Sequence, residues 1–226
     1  KNLVMPEKMS EDKRNCLRLA GAQVIVVPNA PLDSPDNFQQ VARRMASENG
    51  WILADQFCNP ANIAAHYGGT GPEIWQQTNG QLTSFVCGVG TGGSITGIGR
   101  FLKEKNSHIE IVLADPVGSA LADFVEHQEF RTDAAYRVEG IGASRPAQNF
   151  QLSVVDRVER ISDEESFQCQ QQLIRQEGLF VGGSAGTIMA AALRVAAQGQ
   201  GPVVCLLPDS WDRYWLKMVQ DPIFCE

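Results

Sequence analysis

The sequence predicts an α/β fold built on a mostly parallel β-sheet with helices on both faces. Apolar, β-prone runs alternate with segments of helical periodicity along the chain, and parallel strands need such helical crossovers between them. The central runs are also apolar on both faces, as buried parallel strands are. In addition, turns at Gly88, Gly182 and Pro208 each follow a predicted strand, so we expect them at one sheet edge, where ligands bind.

The first quarter of the chain is predicted to hold two helices between short strands. One helix opens at Ser10, which precedes two acidic residues of a first turn, and it stops at Gly21. The other follows Ser34, an N-cap candidate with proline at the next position. The predicted strands here are residues 3–5, 23–27 and 51–54.

The rest of the chain continues the alternation. Ser162 and Glu165 form a capping-box pair that opens a helix ending near Gly178, and an alanine-rich helix begins at Thr187. Residues 128–153 are the least regular part. Strands are predicted at residues 82–87, 109–114, 179–181 and 203–207, and further helices after Asn59, at residues 72–77 and after the central glycines.

Composition excludes several classes of protein. Of 226 residues, 43% are apolar and 20% charged, which is ordinary for a globular protein of one large or two small domains. The net charge of −7, without a clustered Lys/Arg face, argues against nucleic-acid binding. No apolar run is long enough to cross a membrane and no signal peptide is recognised, so we expect no membrane partner.

Cysteine and histidine usage indicates free thiols and no metal site. The six cysteines include no C-x-x-C pair and lie mostly in apolar surroundings, as in a protein of the reducing cytoplasm. The three histidines lack metal-ligand spacing with them, so no metal is expected. These histidines are His66, His108 and His127.

The glycine-rich stretch 88–97 lies between a predicted strand and a predicted helix. Glycines let the backbone pass close to an anion, while the helix N-terminus presents free N–H groups and a positive dipole end. Hydroxyls of Thr91, Ser94 and Thr96 add further donors. A phosphate-binding turn is predicted here, although a tight glycine turn that binds nothing has the same local pattern.

The same glycines fit more than one chemistry. Gly88, Gly90 and Gly93 satisfy G-x-G-x-x-G, and Asp115 ends the next predicted strand where a ribose-binding acid would lie, so a dinucleotide-dependent dehydrogenase is an alternative. A P-loop is excluded because no lysine follows Gly93. Residues 182–186 match G-x-S-x-G, but every histidine precedes this serine, contrary to the order in the α/β-hydrolases.

Pyridoxal phosphate explains both glycine turns together. One turn would hold the phosphate, and Ser184 in the other would face the pyridine nitrogen. A neutral hydroxyl there leaves that nitrogen largely unprotonated, which favours β-elimination over transamination. Ser184 is equally well explained as a plain N-cap of the alanine-rich helix.

Several motifs occur in an order that resembles one family over essentially the whole chain. These motifs are residues 4–10 (VMPEKMS), 90–97 (GTGGSITG), 138–142 (VEGIG) and 182–186 (GGSAG). They resemble the fold type II (tryptophan synthase β-like) pyridoxal phosphate β-synthases, the cystathionine β-synthase and cysteine synthase family. Residues 32–35, 65–67 and 208–210, with Tyr214 and Lys217, resemble the cystathionine β-synthases more than the cysteine synthases.

The resemblance implies pyridoxal 5'-phosphate as cofactor and a lyase-type β-replacement in sulfur amino-acid metabolism. Similar enzymes release the β-substituent of serine or an activated serine and add a thiol; homocysteine then gives cystathionine. Cysteine synthase, which uses O-acetylserine and sulfide, is the alternative. The cofactor-binding residues that the resemblance implies are Gly90, Thr91, Gly92, Gly93, Ser94, Ser184, Gly140, Ile141, Pro208 and Asp209.

The resemblance also implies two α/β subdomains and a homodimer. Residues 1–55 correspond to the remainder of a smaller, mobile N-terminal subdomain, and residues 56–226 to the larger, cofactor-binding one. The Schiff-base lysine of the family is expected upstream of Lys1, so no catalytic residue is expected in this chain, which resembles the downstream part of a longer enzyme. A non-catalytic fragment or pseudoenzyme is therefore the alternative of another class. None of the six lysines of the chain lies in the family motif that contains the Schiff-base lysine. They are Lys1, Lys8, Lys13, Lys103, Lys105 and Lys217.

Three positions depart from the family pattern. Ser94 stands where the family usually has threonine, which keeps the hydroxyl. Val117 stands where the compared cystathionine β-synthases usually carry glutamate, which leaves the choice of serine or homocysteine open. Ala143 stands where a tyrosine is often found.

Overall fold

The computed structural model describes residues 1–199 and 201–225. Its strands are β1 (Asn2–Pro6), β2 (Gln23–Val27), β3 (Ser84–Cys87), β4 (Glu110–Pro116), β5 (Arg157–Ile161) and β6 (Val203–Cys205). Its α-helices are α1 (Glu11–Leu19), α2 (Phe38–Asn49), α3 (Ala61–Ala65), α4 (Gly71–Gln77), α5 (Gly93–Lys105), α6 (Leu121–His127), α7 (Asp163–Glu177), α8 (Gly183–Ala196), α9 (Trp215–Met218) and α10 (Pro222–Cys225). A π-helical turn (His66–Thr70) joins α3 to α4.

The chain divides into two compact units. One comprises residues 1–55 together with 210–226, and the other is Gln56–Asp209. The sequence analysis placed residues 210–226 with the larger unit, but they group with the smaller one. Hydrogen bonds explain this, because the Ser10 hydroxyl donates to the Arg213 carbonyl and the Leu216 amide donates to Asp12 at 2.7 Å.

The smaller unit contains a two-stranded parallel sheet formed by β1 and β2. Helix α1 begins after Ser10, whose hydroxyl accepts a hydrogen bond from the Lys13 amide, as predicted. Helix α2 begins later than predicted, at Phe38, because Asn37 rather than Ser34 is the N-cap and accepts from the Gln39 amide at 2.9 Å.

The prediction of a strand at residues 51–54 is wrong. This segment is irregular and largely exposed, and Ile52 is 99% exposed. Its apolar residues gave a strand pattern, but a strand also needs a hydrogen-bonding neighbour, and the described residues supply none in either sheet.

The larger unit is built on a four-stranded, all-parallel sheet in the order β5-β4-β3-β6. Both faces are covered, which confirms the predicted α/β class. On one face Phe85 and Cys87 pack with α5, and on the other Val86 packs with α8. This alternation follows from the two-residue period of a strand. The buried apolar runs of β3 and β4 are thus explained by burial on both faces.

Two strand predictions in the larger unit need correction. β5 was not predicted, because its charged residues Arg157, Glu159 and Arg160 obscure the apolar pattern of an edge strand. Residues 179–181 were predicted as a strand, but only Val181 has a bridge partner. Among the described residues, no helix is both long enough and apolar enough to cross a membrane.

Candidate functional site

The predicted glycine turn links β3 to α5 at the carboxyl edge of the large sheet. Gly92 is the N-cap of the helix, with a φ of 85° and no side chain of its own, and the Gly93 amide makes one long hydrogen bond, 3.5 Å, to Thr91 Oγ1. Because the helix has 13 residues, its first N–H groups and its dipole make an anion-binding terminus. A phosphate-binding turn is the chemistry that this geometry suits.

Three glycines of the turn have no room for a side chain. A Cβ on Gly90 would lie 2.5 Å from the Gly140 carbonyl oxygen, and one on Gly92 would lie 2.5 Å from the Phe150 Cα. A Cβ on Gly93 would lie 2.0 Å from Asn62 Oδ1. The turn is therefore held between two other segments of the same unit.

Asn62 is a residue that the sequence analysis did not single out. Its side-chain amide donates to Thr91 Oγ1 at 2.9 Å and to the Gln56 carbonyl at 2.8 Å. Thr91 thus receives a hydrogen bond, and its own proton is available to be donated to another acceptor. The asparagine orients a hydroxyl that the sequence predicts to bind phosphate.

Ser94, in the first turn of α5, contacts His66, for which the sequence predicted no role in the site. Its Oγ lies 3.1 Å from His66 Nε2, and His66 Nδ1 lies 3.0 Å from Thr70 Oγ1. Burial lowers the pKa of His66 from its ordinary value, which favours the neutral imidazole. The side chains of Ser94, His66 and Thr70 therefore form a hydrogen-bonded chain beside the glycine turn.

Gly140 and Ile141, which the family motif predicts to lie beside the cofactor, lie next to the same turn. Ile141 is 5% exposed, and its Cγ2 would be 2.6 Å from a Cβ on Gly88. The Gly142 amide donates to the Val89 carbonyl at 2.8 Å. The segment 140–142 is thus one wall of the glycine turn.

Ser184 lies in the first turn of α8, where Gly182 rather than Ser184 is the N-cap. The plain N-cap explanation of Ser184 is therefore wrong. Ser184 is 1% exposed, and its hydroxyl donates to Asp209 Oδ1 at 3.1 Å. Pro208 is exposed beside it, and the Gly182 amide donates to the Asp209 carbonyl at 3.1 Å.

The predicted phosphate-binding turn and the predicted residues Pro208 and Asp209 therefore follow the carboxyl ends of two neighbouring strands. β3 runs into the glycine turn, and β6, its parallel neighbour, runs towards Pro208 and Asp209. Leu206 donates its amide to the Val86 carbonyl at 3.1 Å, so the two chains leave the sheet side by side. The prediction that the three turns gather at one edge agrees with this arrangement.

Asp115 is not placed to bind a ribose. Its side chain has no exposed surface, and one carboxylate oxygen accepts from the Ala122 amide at 2.8 Å. Burial raises the pKa of Asp115 to about 6, against the opposing effect of hydrogen bonds from Ser119 and Ala122. The dinucleotide alternative therefore lacks its ribose-binding acid.

One group of side chains in the described residues has a metal-like arrangement, namely Asp123, Glu126 and His127. Arg160 forms ion pairs with Asp123 at 2.8 Å and with Glu126 at 2.7 Å. A hydrogen bond from Thr132 and the contact with Arg160 lower the pKa of Asp123. The guanidinium thus already pairs with both carboxylates, and the group is explained as an ion-pair cluster.

The lysines of the larger unit lie away from the glycine turn. Lys103 and Lys105 are both in the last turn of α5, whereas the turn precedes Gly93 at the other end of the helix. Twelve residues of helix separate its ends by about 18 Å at a rise of about 1.5 Å per residue. Lys103 forms an ion pair with Asp156 at 2.6 Å.

Comparison with known proteins identifies the family. The sequence profile of the family described as pyridoxal-phosphate dependent enzyme matches residues 2–209. The chain belongs to the pyridoxal-phosphate dependent enzymes. The predicted family and fold type are confirmed, and pyridoxal phosphate is the cofactor of this family.

Curated relatives of the chain are sulfur amino-acid enzymes of this family. It is 44% identical over 225 residues to cystathionine beta-synthase of Mus musculus, covering 97% of the chain and 40% of that protein. It is 38% identical to cysteine synthase 2 of Schizosaccharomyces pombe, covering 97% of the chain and 61% of that protein. It is also 38% identical to cystathionine beta-synthase of Saccharomyces cerevisiae, covering 97% of the chain and 45% of that protein. The chain therefore spans about half the length of these relatives.

The residues present fit the cofactor of the family. In the glycine turn the neighbouring segments leave no room for side chains at Gly90, Gly92 and Gly93, and the turn leads into the N-terminus of α5, whose N-cap is a glycine and which suits a phosphate. Ser184 is a buried hydroxyl bonded to Asp209, which follows the neighbouring strand β6, and it suits a ring nitrogen when that bond is released. The sequence did not predict a role for Asn62 or His66, because only the fold brings them to the glycine turn. His66 lies in a motif that resembles the family, but nothing in the sequence indicates that it bonds Ser94.

Proposed function

We propose that the protein containing this chain catalyses a pyridoxal phosphate-dependent β-replacement on serine or an activated serine with a thiol. The observation that carries the proposal is the pairing of two features on neighbouring strand ends. These are the phosphate-suited glycine turn before α5 and the buried Ser184 hydroxyl at the start of α8. The bound cofactor supplies the electron sink for chemistry at the substrate's α and β carbons.

In this proposal the residues of the turn bind the phosphate. The backbone N–H groups of Gly92, Gly93 and Ser94 would donate to its oxygens, and the Thr91 and Ser94 hydroxyls would add two donors. Such donors to a phosphate are charge-assisted and among the stronger hydrogen bonds in proteins. Gly90 belongs to the same turn and allows Gly140 to pack against it.

Ser184, Ile141 and Asp209 would position the ring. The Ser184 hydroxyl would meet the pyridine nitrogen, and Ile141 would exclude water beside the cofactor and substrate, with Gly140 alongside. Asp209 holds the Ser184 hydroxyl and Pro208 precedes it. This proposal makes Gln56–Asp209 the cofactor-binding unit and residues 1–55, together with 210–226, the smaller subdomain.

Cystathionine synthesis from serine and homocysteine is the form of the reaction that we favour, because cystathionine beta-synthases are the relatives with 44% identity. Cysteine synthesis from O-acetylserine and sulfide is the second candidate, supported by the relative named cysteine synthase 2. The full-length protein should be assayed with both substrate pairs. A much higher kcat/KM with sulfide would overturn the first form and favour the second.

A non-catalytic role is the alternative of another class. It is tested by intact mass after incubation of the full-length protein with pyridoxal phosphate and borohydride, which makes a lysine Schiff base permanent. A single adduct supports the enzyme. An unmodified mass would favour a protein that binds phosphate or a partner without catalysis.

We also propose a cytoplasmic homodimer, to be tested by sedimentation and by localisation of the tagged full-length protein.

A further inference from the structure

The hydrogen-bonded chain Ser94–His66–Thr70 lies where the backbone is built to hold it. His66 starts the π-helical turn, whose backbone is closed by a hydrogen bond from the Gly71 amide to the His66 carbonyl. Such π-helical turns are rare and occur frequently at functional sites. The turn brings Thr70 Oγ1 to 3.0 Å from His66 Nδ1.

A glycine of α5 brings the histidine to Ser94. A Cβ on Gly97 would lie 2.8 Å from the His66 Cβ and 2.5 Å from the Ile63 carbonyl oxygen, so only glycine allows this approach. Gly97 and Ser94 are three residues apart and therefore share one face of the helix. The close packing at Gly97 thus sets the imidazole beside the Ser94 hydroxyl at 3.1 Å.

Proton counting distinguishes two arrangements of this chain. A neutral imidazole has one N–H donor and one acceptor nitrogen, and each hydroxyl has one proton. If Nδ1 carries the proton, Ser94 must donate its own proton to Nε2 and has none for an anion. If Nε2 carries the proton, it donates to Ser94 Oγ, and Thr70 donates to Nδ1. Only the second arrangement leaves the Ser94 proton available to a phosphate.

We propose that His66 is a positioning residue for phosphate binding, in which Thr70 donates to Nδ1 and Nε2–H donates to Ser94, so that the Ser94 hydroxyl is directed to the phosphate. This inference rests on the proposed function, because it takes Ser94 as a ligand of the cofactor phosphate. No proton is transferred. The imidazole fixes the rotation of one hydroxyl and thereby strengthens one hydrogen bond to the phosphate.

The test compares two substitutions that retain different parts of the imidazole. The amide nitrogen of His66→Gln reaches the position of Nε2 and can still donate to Ser94. The shorter side chain of His66→Asn reaches only the position of Nδ1 and cannot. Both are made in the full-length protein, and the apo-protein is titrated with pyridoxal phosphate and with pyridoxal, which lacks the phosphate.

We expect the preference for pyridoxal phosphate over pyridoxal to fall about five- to tenfold in His66→Asn, the effect of one lost hydrogen bond. The preference should stay within about twofold of the original in His66→Gln. In a Ser94→Ala background, His66→Asn should have no further effect, because the hydroxyl that it orients is gone. Equal losses with and without the Ser94 hydroxyl would overturn the proposal in favour of a packing role for His66.

Nitrogen NMR of labelled histidine gives a readout that needs no variant to fold. We expect the His66 ring to be neutral and protonated at Nε2, with and without pyridoxal phosphate. A ring protonated at Nδ1, or a cationic ring, would overturn the proposal while leaving the proposed function intact. An unsubstituted protein that binds pyridoxal as tightly as pyridoxal phosphate would instead overturn the proposed function, and this inference with it.

Discussion

The Ser184 hydroxyl donates its hydrogen bond to Asp209 Oδ1 at 3.1 Å, although the two residues are 25 positions apart and lie on different elements. Ser184 opens α8, and Asp209 follows β6. The single hydroxyl proton is thereby used, so that in this arrangement the Ser184 oxygen presents only lone pairs to a ring nitrogen. The expectation that Ser184 donates to the nitrogen requires this bond to break when the cofactor binds.

This relationship predicts that Asp209 and the ring nitrogen compete for the one Ser184 proton. Ser184→Ala should weaken binding of pyridoxal phosphate to the full-length apo-protein by about fivefold, the effect of roughly 1 kcal/mol. Asp209→Ala should tighten binding by a similar factor, because the proton no longer has to leave the carboxylate, and it should have no effect in a Ser184→Ala background. Asp209→Asn keeps an acceptor oxygen and is the matched control. An equal effect of Asp209→Ala with and without the Ser184 hydroxyl, measured by fluorescence titration, would show that the residues act independently.

The glycine turn gives a second prediction, because Gly92 and Gly178 share a left-handed backbone conformation but differ in their surroundings. Both have φ in the left-handed region, 85° and 67°, where an alanine costs about 1 kcal/mol. A Cβ on Gly178 meets nothing within 4 Å, whereas one on Gly92 meets the Phe150 backbone at 2.5 Å. We expect Gly92→Ala to lower the free energy of unfolding by about 1–3 kcal/mol more than Gly178→Ala. Urea denaturation measures both, and equal losses would contradict the crowding at Gly92.

The unit from β3 through the glycine turn to α5 could be predicted because its signals are local. The alternation of Phe85, Val86 and Cys87 encodes burial on both sheet faces, and the glycines mark a turn that only they can adopt. The hydroxyls of Thr91 and Ser94 belong to the same short stretch. Sequence motifs therefore predict the part of the candidate site whose geometry is set within a few residues.

The supporting residues could not be predicted, because their contacts span distance along the chain. Asn62 bonds Thr91 across 29 positions, and His66 bonds Ser94 across 28. Neither contact has a spacing rule, since it depends on how α3 and the π-helical turn after it pack against α5. The edge strand β5 was missed for a related reason, because its stability comes from pairing with β4 rather than from its own apolar pattern.

Asp115 predicts a distinctive dependence of stability on pH. Its pKa is raised by burial from 3.8 to about 6, so the folded state favours the protonated form. Protonation of Asp115 therefore stabilises the folded state. This stabilisation is fully present below pH 3.8, the ordinary pKa, and is lost as the pH rises through the folded-state pKa of about 6. Between pH 4.5 and 7.5 the linkage relation gives a loss of about 2 kcal/mol.

Asp115→Asn should remove this dependence, because the amide stays neutral and can still accept from the Ala122 amide. We expect the free energy of unfolding of the variant, minus that of the unsubstituted protein, to increase by about 2 kcal/mol from pH 4.5 to 7.5. The variant thus becomes relatively more stable as the pH rises. The other titrating groups cancel in this difference. Urea denaturation at the two pH values measures it, and a constant difference would show that Asp115 ionises normally in the folded protein.

Thiol reactivity tests the burial of the sheet at the site edge. Cys87 ends β3 directly before the glycine turn and is 2% exposed, and burial together with Cys205 raises the pKa of its thiol to about 12. The reactive thiolate is therefore scarce and inaccessible in the folded protein. Cys16 is exposed on α1. With a limiting maleimide at pH 7.5, peptide mass spectrometry should find Cys16 modified at least about tenfold faster than Cys87, a ratio that denaturant abolishes. Comparable rates without denaturant would mean that β3 opens readily, and the glycine turn that it carries could not then be a preorganised phosphate site.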